Sequence, residues 1–396
     1  MTGSILHGQR PIHPKITPEI TDHFFIKGYF SFFAFQSKKM SKKHNFNAGP
    51  SILPQEVFEG AARAIMDFNN TGLSILEIGH RTPLFQGVMD EAISLVRELM
   101  NLSSDQEVMF LHGGASTQFF QVPMNLLDEK ATAAYLDCGI WGTKAIKEAK
   151  LFGNVEVVAS SKDKNYTYIP RGFRIPENAA FFHYTSNNTI EGTEVREIPE
   201  TNVPLVCDMS SDILSREIDF TRFGLIYAGA QKNIGAAGVN LVIVNKNLLG
   251  KVSRKLPTMM DYRLHIENGS MVNTPPVFAV YVCLLTLRWL KEQGGVRGIE
   301  KVNEQKAGLL YQTLDELPIF TPTVNKADRS NMNVVFVMQD PALEKEFLET
   351  CKKENLVGVK GHRTVGGFRV SLYNALPLSS VKVLTEVMKQ FALQHA

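Results

Sequence analysis

Lys232 lies in the stretch Tyr227–Gly238, "YAGAQKNIGAAG", between two apolar runs that each read as a buried strand. A long cationic side chain among glycines and alanines is either a solvated residue of a strand-to-strand loop or an amine held in a site. Asp208 closes the apolar run "PLVCD", 24 residues before Lys232 (232 − 208). A carboxylate at a strand end either caps the next turn or needs a partner, because burying it alone is expensive. Further upstream, His112–Gln118, "HGGASTQ", places glycines and hydroxyls at the opening of a helix. That is a tight turn with an N-cap, or a cradle of free N–H groups for a phosphate. Trp141, one of two tryptophans, sits in the Gly-rich loop "DCGIWGT" as either a hydrophobic anchor or a platform for a planar ring.

These four features form a set. A lysine amine can make a Schiff base, and an acid can keep a pyridine nitrogen protonated. An aromatic plate can support a ring, and N–H groups can hold a phosphate. Pyridoxal 5'-phosphate requires all four. Small neighbours around Lys232 would then leave room for the ring to approach the amine. No Walker A lysine follows Gly113–Gly114, and the dinucleotide pattern G-x-G-x-x-G is absent there, which disfavours nucleotide readings.

The elements that must position these residues alternate. Helical patterns at 54–69 and 83–100 precede short apolar runs at 107–114, 132–139, 155–160, 179–187, 204–212 and 224–230. Such runs between helices predict an α/β fold with a mainly parallel sheet covered on both faces. In such sheets ligands bind past the carboxyl ends of the strands. A long helix is expected over 275–295, with Pro-Pro at its start and Gly-Gly at its stop. Strands near 332–338 and 368–373, with helices near 341–355 and 378–393, then suggest a second, smaller α+β domain.

At 396 residues the chain is long enough for two domains. Its net charge of +2 gives no argument for nucleic acid or an acidic membrane. Four scattered cysteines, without zinc-ligand spacing, fit buried thiols in a reducing, cytoplasmic compartment. Residues 24–36, "FFIKGYFSFFAFQ", are too short and interrupted to span a bilayer. Met40 is the expected start of the working domain, with residues 1–39 an extension, a start-site artefact or an arm packing on the body or a partner.

From Asn45 to the C-terminus, longer motifs carry a resemblance: "NFNAGPSILP", "EIGHRTPLF", "HGGASTQF", "GIWGTKAIKEAK", "DMSSDILSR", "YAGAQKNIGAAG", "NGSMVNTPP" and "KGHRTVGGFRVSLYNA". The chain resembles the phosphoserine aminotransferase family. The resemblance implies a fold-type-I pyridoxal-phosphate enzyme and a homodimer with active sites at the subunit interface. It implies a large domain over 56–299 and a small one from 40–55 with 300–396. Lys232 is similar to the lysine that bonds the cofactor, Asp208 to the partner of the ring nitrogen, and Trp141 to the residue stacked on the ring. Ala115, Ser116 and Gln231 would hold the phosphate, and Thr189 the ring hydroxyl region. Asn273 and Thr274 would reach the phosphate from the other subunit. Arg369 would grip the substrate α-carboxylate, and His80, Arg81, His362 and Arg363 the distal anion. Ser116 stands where some members carry an arginine, which leaves the distal anion to the remaining cations. The implied reaction joins glutamate and 3-phosphohydroxypyruvate to 2-oxoglutarate and O-phosphoserine, with a phosphorylated four-carbon oxo acid of pyridoxine biosynthesis as a second possible substrate.

Three other readings are weighed against this one. Within the same fold, another aminotransferase or a desulfurase would keep Lys232 and Asp208, but the desulfurase needs a mobile catalytic cysteine, for which Cys351 is the loose candidate. A non-catalytic homologue has no need of Lys232, Asp208 and Arg369 together. An NAD-dependent oxidoreductase lacks its fingerprint.

Overall fold

The structure, a computed structural model, describes residues 43–396, which form one compact unit. The expectations for residues 1–39 and for Met40 lie outside the described residues. In chain order, strand β1 (His44–Asn45) precedes helices α1 (Gln55–Met66) and α2 (Pro83–Met100). Next come β2 (Gln106–His112), α3 (Ala115–Leu126), β3 (Thr132–Asp137), α4 (Ile140–Ala149), β4 (Asn154–Ser160) and β5 (Phe182–Thr185). A small hairpin, β6 (Asn187–Asn188) with β7 (Thr193–Glu194), leads to β8 (Leu205–Asp208), β9 (Phe223–Gly229) and β10 (Val239–Asn245). Helices α5 (Tyr262–Glu267), α6 (Val277–Glu292) and α7 (Gly295–Glu316) follow. The chain closes with β11 (Phe320–Pro322), β12 (Asn333–Met338), α8 (Glu344–Lys353), β13 (Leu356–Val357), β14 (Phe368–Ser371) and α9 (Leu378–Gln394).

Seven strands form the main sheet in the order β2-β10-β9-β8-β5-β3-β4. The pairs β9–β8, β8–β5, β5–β3 and β3–β4 are parallel, and β10 runs antiparallel to both its neighbours. The α/β architecture with a mostly parallel sheet is thus the one expected. Both faces are covered, and alternate residues divide between them. Phe110, Leu136, Phe182, Cys207, Ile226 and Ile243 face the layer of α2 and α6. Met109, Tyr135, Phe181, Val206, Tyr227 and Val242 face the layer of α3 and α4. This period of two explains why the central strands read as continuous apolar runs. Each such fully buried side chain contributes about 1.5–3 kcal/mol relative to exposure.

A second core is built from Phe46, Leu310, Phe336, Phe347, Phe368, Leu384 and Phe391 around the sheet β11-β12-β14. Strand β1 joins it by pairing with β13. Helix α7 serves both cores, giving Val296 and Ile299 to the first and Ala307, Leu310 and Leu314 to the second.

Three local expectations need correction. The Gly-Gly pair does end α6, but Gly294 (φ +86°) and Gly295 (φ +66°) form a joint to α7, a 22-residue helix that the sequence pattern did not reveal. The α7 sequence is polar and carries Gly298 and Gly308, which weakens its periodic signal. Trp141 lies in the first turn of α4, not in a loop. Strand β4 is an edge strand with exposed or half-exposed residues throughout, because only β3 pairs with it.

Candidate active site

The carboxyl ends of β2, β3, β5, β8 and β9 open on one edge of the sheet, and the residues that follow them converge there. After β9, Ala230 turns the chain with its N–H bonded to the Val239 carbonyl at 3.0 Å, so Gln231, Lys232 and Asn233 project from a short loop. This loop is tied on three sides. Gly113 N–H donates to the Gly238 carbonyl at 3.0 Å, which joins it to the start of α3. Ser51 donates from its N–H to the Gln231 carbonyl at 3.0 Å and from its Oγ to the Lys232 carbonyl. Asn374 N–H donates to Asn233 Oδ1 at 3.0 Å.

Two of the small residues near Lys232 also have packing reasons. A Cβ on Gly235 would stand 2.5 Å from Cys283 Sγ and 3.1 Å from its backbone, so α6 must pass close here. A Cβ on Gly229 would meet the Gln231 side chain at 2.7 Å. Close packing of the loop on α6 and on its own side chains constrains these two positions.

Lys232 is 9% exposed. Its Nζ donates to Thr189 Oγ1 at 2.6 Å and stands 6.0 Å from the centre of the Trp141 ring. Burial lowers its pKa to about 8, against the opposing pull of Asp208, and the Arg369 charge lowers it further. Asp208 is buried at the end of β8, where Ser210 N–H donates to its Oδ1 at 2.9 Å. The turn-capping role therefore holds. Burial nevertheless raises its carboxyl pKa, opposed by Ser210 and by the Lys232 charge. Helix α3 begins at Ala115 without a side-chain cap, so the N–H groups of Ala115 and Ser116 point out of its first turn. Gly113 is held at φ +98°, and a Cβ there would lie 2.5 Å from Thr117 Oγ1.

The fit to pyridoxal 5'-phosphate can be tested on these groups. A buried amine, a buried carboxylate, an indole face and an uncapped helix start border one place. The Trp141 Nε1 and Arg369 Nε atoms are buried there without partners. The donor set matches an aldehyde, a pyridine nitrogen, a flat ring and a phosphate, so the residues fit the group.

Arg369 lies on β14 opposite Val335 and reaches this edge from the second core. His362 is half-buried, with Nδ1 bonded to Thr364 Oγ1 at 2.7 Å, and Arg363 is exposed beside it. Asn273, Thr274, His80 and Arg81 are not brought to Lys232 by any hydrogen bond or ion pair among the described residues; His80 Nε2 and Asn273 Oδ1 are buried without partners. A cleft of about 1110 Å³ lined by Arg171, Glu194 and Val203 contains none of these residues.

Sequence reasoning passed over Glu191. It is buried, accepts the Ile140 N–H at 2.9 Å at the start of α4, and leaves Oε2 without a partner. Burial raises its pKa, and Arg369 pulls it down. Its signal was present two residues after Thr189 in "NNTIEGT", but only the hairpin β6–β7 turns it towards α4. Cys351 is buried in α8, and burial pushes its thiol up to about 12, which removes the desulfurase candidate.

Comparison with known proteins agrees with this geometry. The family model "Aminotransferase class-V" matches residues 43–384. A phosphoserine aminotransferase of Flavobacterium johnsoniae is 57% identical over 349 residues, 88% of this chain and 98% of that protein. The solved phosphoserine aminotransferase of Bacillus circulans subsp. alkalophilus is 44% identical, with a TM-score of 0.88 over 90% of this chain and 99% of that one. A phosphoserine aminotransferase from Trichomonas vaginalis, solved with pyridoxal phosphate bound, is 36% identical, with a TM-score of 0.84 over 88% and 100%. The chain belongs to the class-V aminotransferase family and, within it, to the phosphoserine aminotransferases, enzymes whose cofactor is pyridoxal 5'-phosphate.

Proposed function

We propose that the protein transfers the amino group of glutamate to 3-phosphohydroxypyruvate, giving 2-oxoglutarate and O-phospho-L-serine. The observation that carries the reading is the buried Lys232 amine, facing Trp141 at 6.0 Å, with the buried carboxylate of Asp208 near enough for its charge to oppose part of the pKa lowering that burial causes. Bound pyridoxal phosphate supplies a carbonyl carbon for amine exchange and a conjugated ring that takes up negative charge from the substrate Cα.

In this reading each residue has a physical task. Lys232, with its pKa lowered to about 8, is neutral often enough to accept the proton that leaves the substrate Cα. Thr189 Oγ1 orients that amine. Asp208, buried where its charge acts most strongly, would keep the ring nitrogen protonated. Trp141 fixes the plane. The N–H groups of Ala115 and Ser116, with Gln231, hold the phosphate at the positive end of α3. Arg369 matches the α-carboxylate with forked donors. His80, Arg81, His362 and Arg363 take the distal anion, and Asn273 and Thr274 complete the phosphate site in a homodimer.

Support for the dimer comes from a single stretch of chain. Met66, Leu73, Leu76 and Leu84 are exposed large apolar residues that flank His80 and Arg81. We also propose that the two cores correspond to a large domain over 56–299 and a small one of 40–55 with 300–396. Cytoplasmic location is proposed from the four free, buried cysteines. Among the described residues no helix is long and apolar enough to cross a membrane.

The test is the visible spectrum of the holoenzyme. A cofactor band that bleaches with O-phospho-L-serine and with glutamate, but not with alanine or serine, is expected. Bleaching by another amino acid alone would overturn the substrate assignment.

A further inference from the structure

A cluster of cations without ion-pair partners borders the Trp141 ring. Lys144 follows Trp141 by one helical turn on α4, and this spacing puts both on one face. The Lys144 Nζ stands 4.2 Å from the ring centre, on an exposed side chain. From the second core, His362, Arg363 and Arg369 approach the same place. The His362 pKa is lowered by partial burial and then by the charges of Arg369, Arg363 and Lys144.

Lys144, Arg363 and Arg369 form no ion pair among the described residues, and neither does His362, whose lowered pKa leaves its imidazole neutral at neutral pH. Other solvent-facing cations of this protein do find acids, as in Lys291–Glu98 at 2.7 Å and Arg288–Glu91 at 2.5 Å. The carboxylate that bears on the cluster is Glu191, which is already bonded to the Ile140 N–H and acts on Arg369. Like charges gathered beside a partly dry cleft repel one another, and a bound anion relieves that repulsion.

We propose that Lys144 is a specificity-determining residue: its ammonium, held on the Trp141 side of the cleft, contacts the phosphate of the phosphorylated substrate together with His362 and Arg363. The inference rests on the transamination reading above. A phosphate monoester carries nearly two negative charges at neutral pH, whereas the distal carboxylate of glutamate carries one. A compact point charge on a four-carbon stem therefore favours the phosphorylated partner and distinguishes the two substrates that alternate in one site.

The experiment compares Lys144→Gln and Lys144→Arg with the unaltered holoenzyme, measuring KM and kcat for O-phospho-L-serine and for glutamate. Loss of one charged contact should raise the phosphoserine KM by about tenfold or more, with kcat little changed and the glutamate KM within about threefold. Arginine should restore most of the loss. Calorimetric titration of the holoenzyme with inorganic phosphate should show a matching loss of affinity in Lys144→Gln, and the visible cofactor band of the variant checks that the site is intact. An unchanged phosphoserine KM, an equal rise for both substrates, or an arginine variant as poor as the glutamine one would overturn the proposal. If the unaltered enzyme itself fails to bleach with phosphoserine, the transamination reading fails instead.

Discussion

Two lysines are buried among the described residues, and only one faces an open site. Lys232 projects from the β9–β10 loop, makes one hydrogen bond to Thr189, and looks across to Trp141. Lys306 lies on α7 in the second core, fully buried, and donates to the carbonyls of Leu372 and Tyr373 at 2.8 Å each. Burial lowers both pKa values, to about 8 for Lys232 and about 7 for Lys306. A depressed lysine pKa is therefore no mark of catalysis by itself. What differs is the surroundings: Lys232 has a buried carboxylate and an aromatic face nearby, and Lys306 has two backbone acceptors that hold it still.

The role of Lys306 is to fasten the turn after β14. That turn also receives Asn303 Nδ2 at Asn374 Oδ1, gives Tyr373 OH to the Ala48 carbonyl, and gives Asn374 N–H to Asn233. Asn233 adjoins Lys232. The inert lysine thus braces the strand of Arg369 against the loop of the reactive one.

The comparison is broken most severely by Lys232→Ala, expected to lower turnover by about 10²–10⁴-fold while leaving thermal stability unchanged or raised, because a desolvated amine is removed. Steady-state rates and a melting curve check both halves. Next in size, Arg369→Ala should raise KM for both substrates by about ten- to a hundredfold, since both carry an α-carboxylate.

Lys306→Met should do the reverse of Lys232→Ala, lowering stability by about 1–3 kcal/mol, because the Leu372 carbonyl loses its donor and the Tyr373 carbonyl keeps only the Leu376 N–H. It should also alter the pH dependence. The unfolded chain binds the Lys306 proton up to about pH 10.5 and the folded chain only up to about pH 7. Between those values the unfolded state holds more protons, so this group makes stability rise with pH. Denaturant titrations at pH 7 and pH 9.5 should show a smaller rise in the variant; an equal or steeper rise would mean that Lys306 does not titrate in this window. The smallest effect is expected for Trp141→Phe, which keeps a flat face: a few-fold weaker cofactor retention, in line with about 0.5–1.5 kcal/mol for an aromatic pair, measured by dialysis against buffer without cofactor.

Much of the site was legible because its residues sit at strand ends flagged by apolar runs. Lys232 is the only charged residue of "YAGAQKNIGAAG" and Asp208 the only one of "PLVCD", and the glycines before Ala115 mark the helix start. Glu191 and Lys144 were not legible, since a Glu in a hairpin turn and a Lys on an amphipathic helix are ordinary in sequence. Helix α7 was obscured by its polar composition, and the exposure of β4 by its apolar run.

The sequence by itself determined the alternation of strands and helices, the two cores' apolar residues and the chemical types at the strand ends, because burial period and turn chemistry are local properties. Only the tertiary structure decided which cations stay unpaired around Trp141, which buried lysine is braced and which is free to react, and that Glu191 meets the start of α4. Those outcomes depend on distances between residues about 40 to 230 positions apart, and burial and charge act through space rather than along the chain.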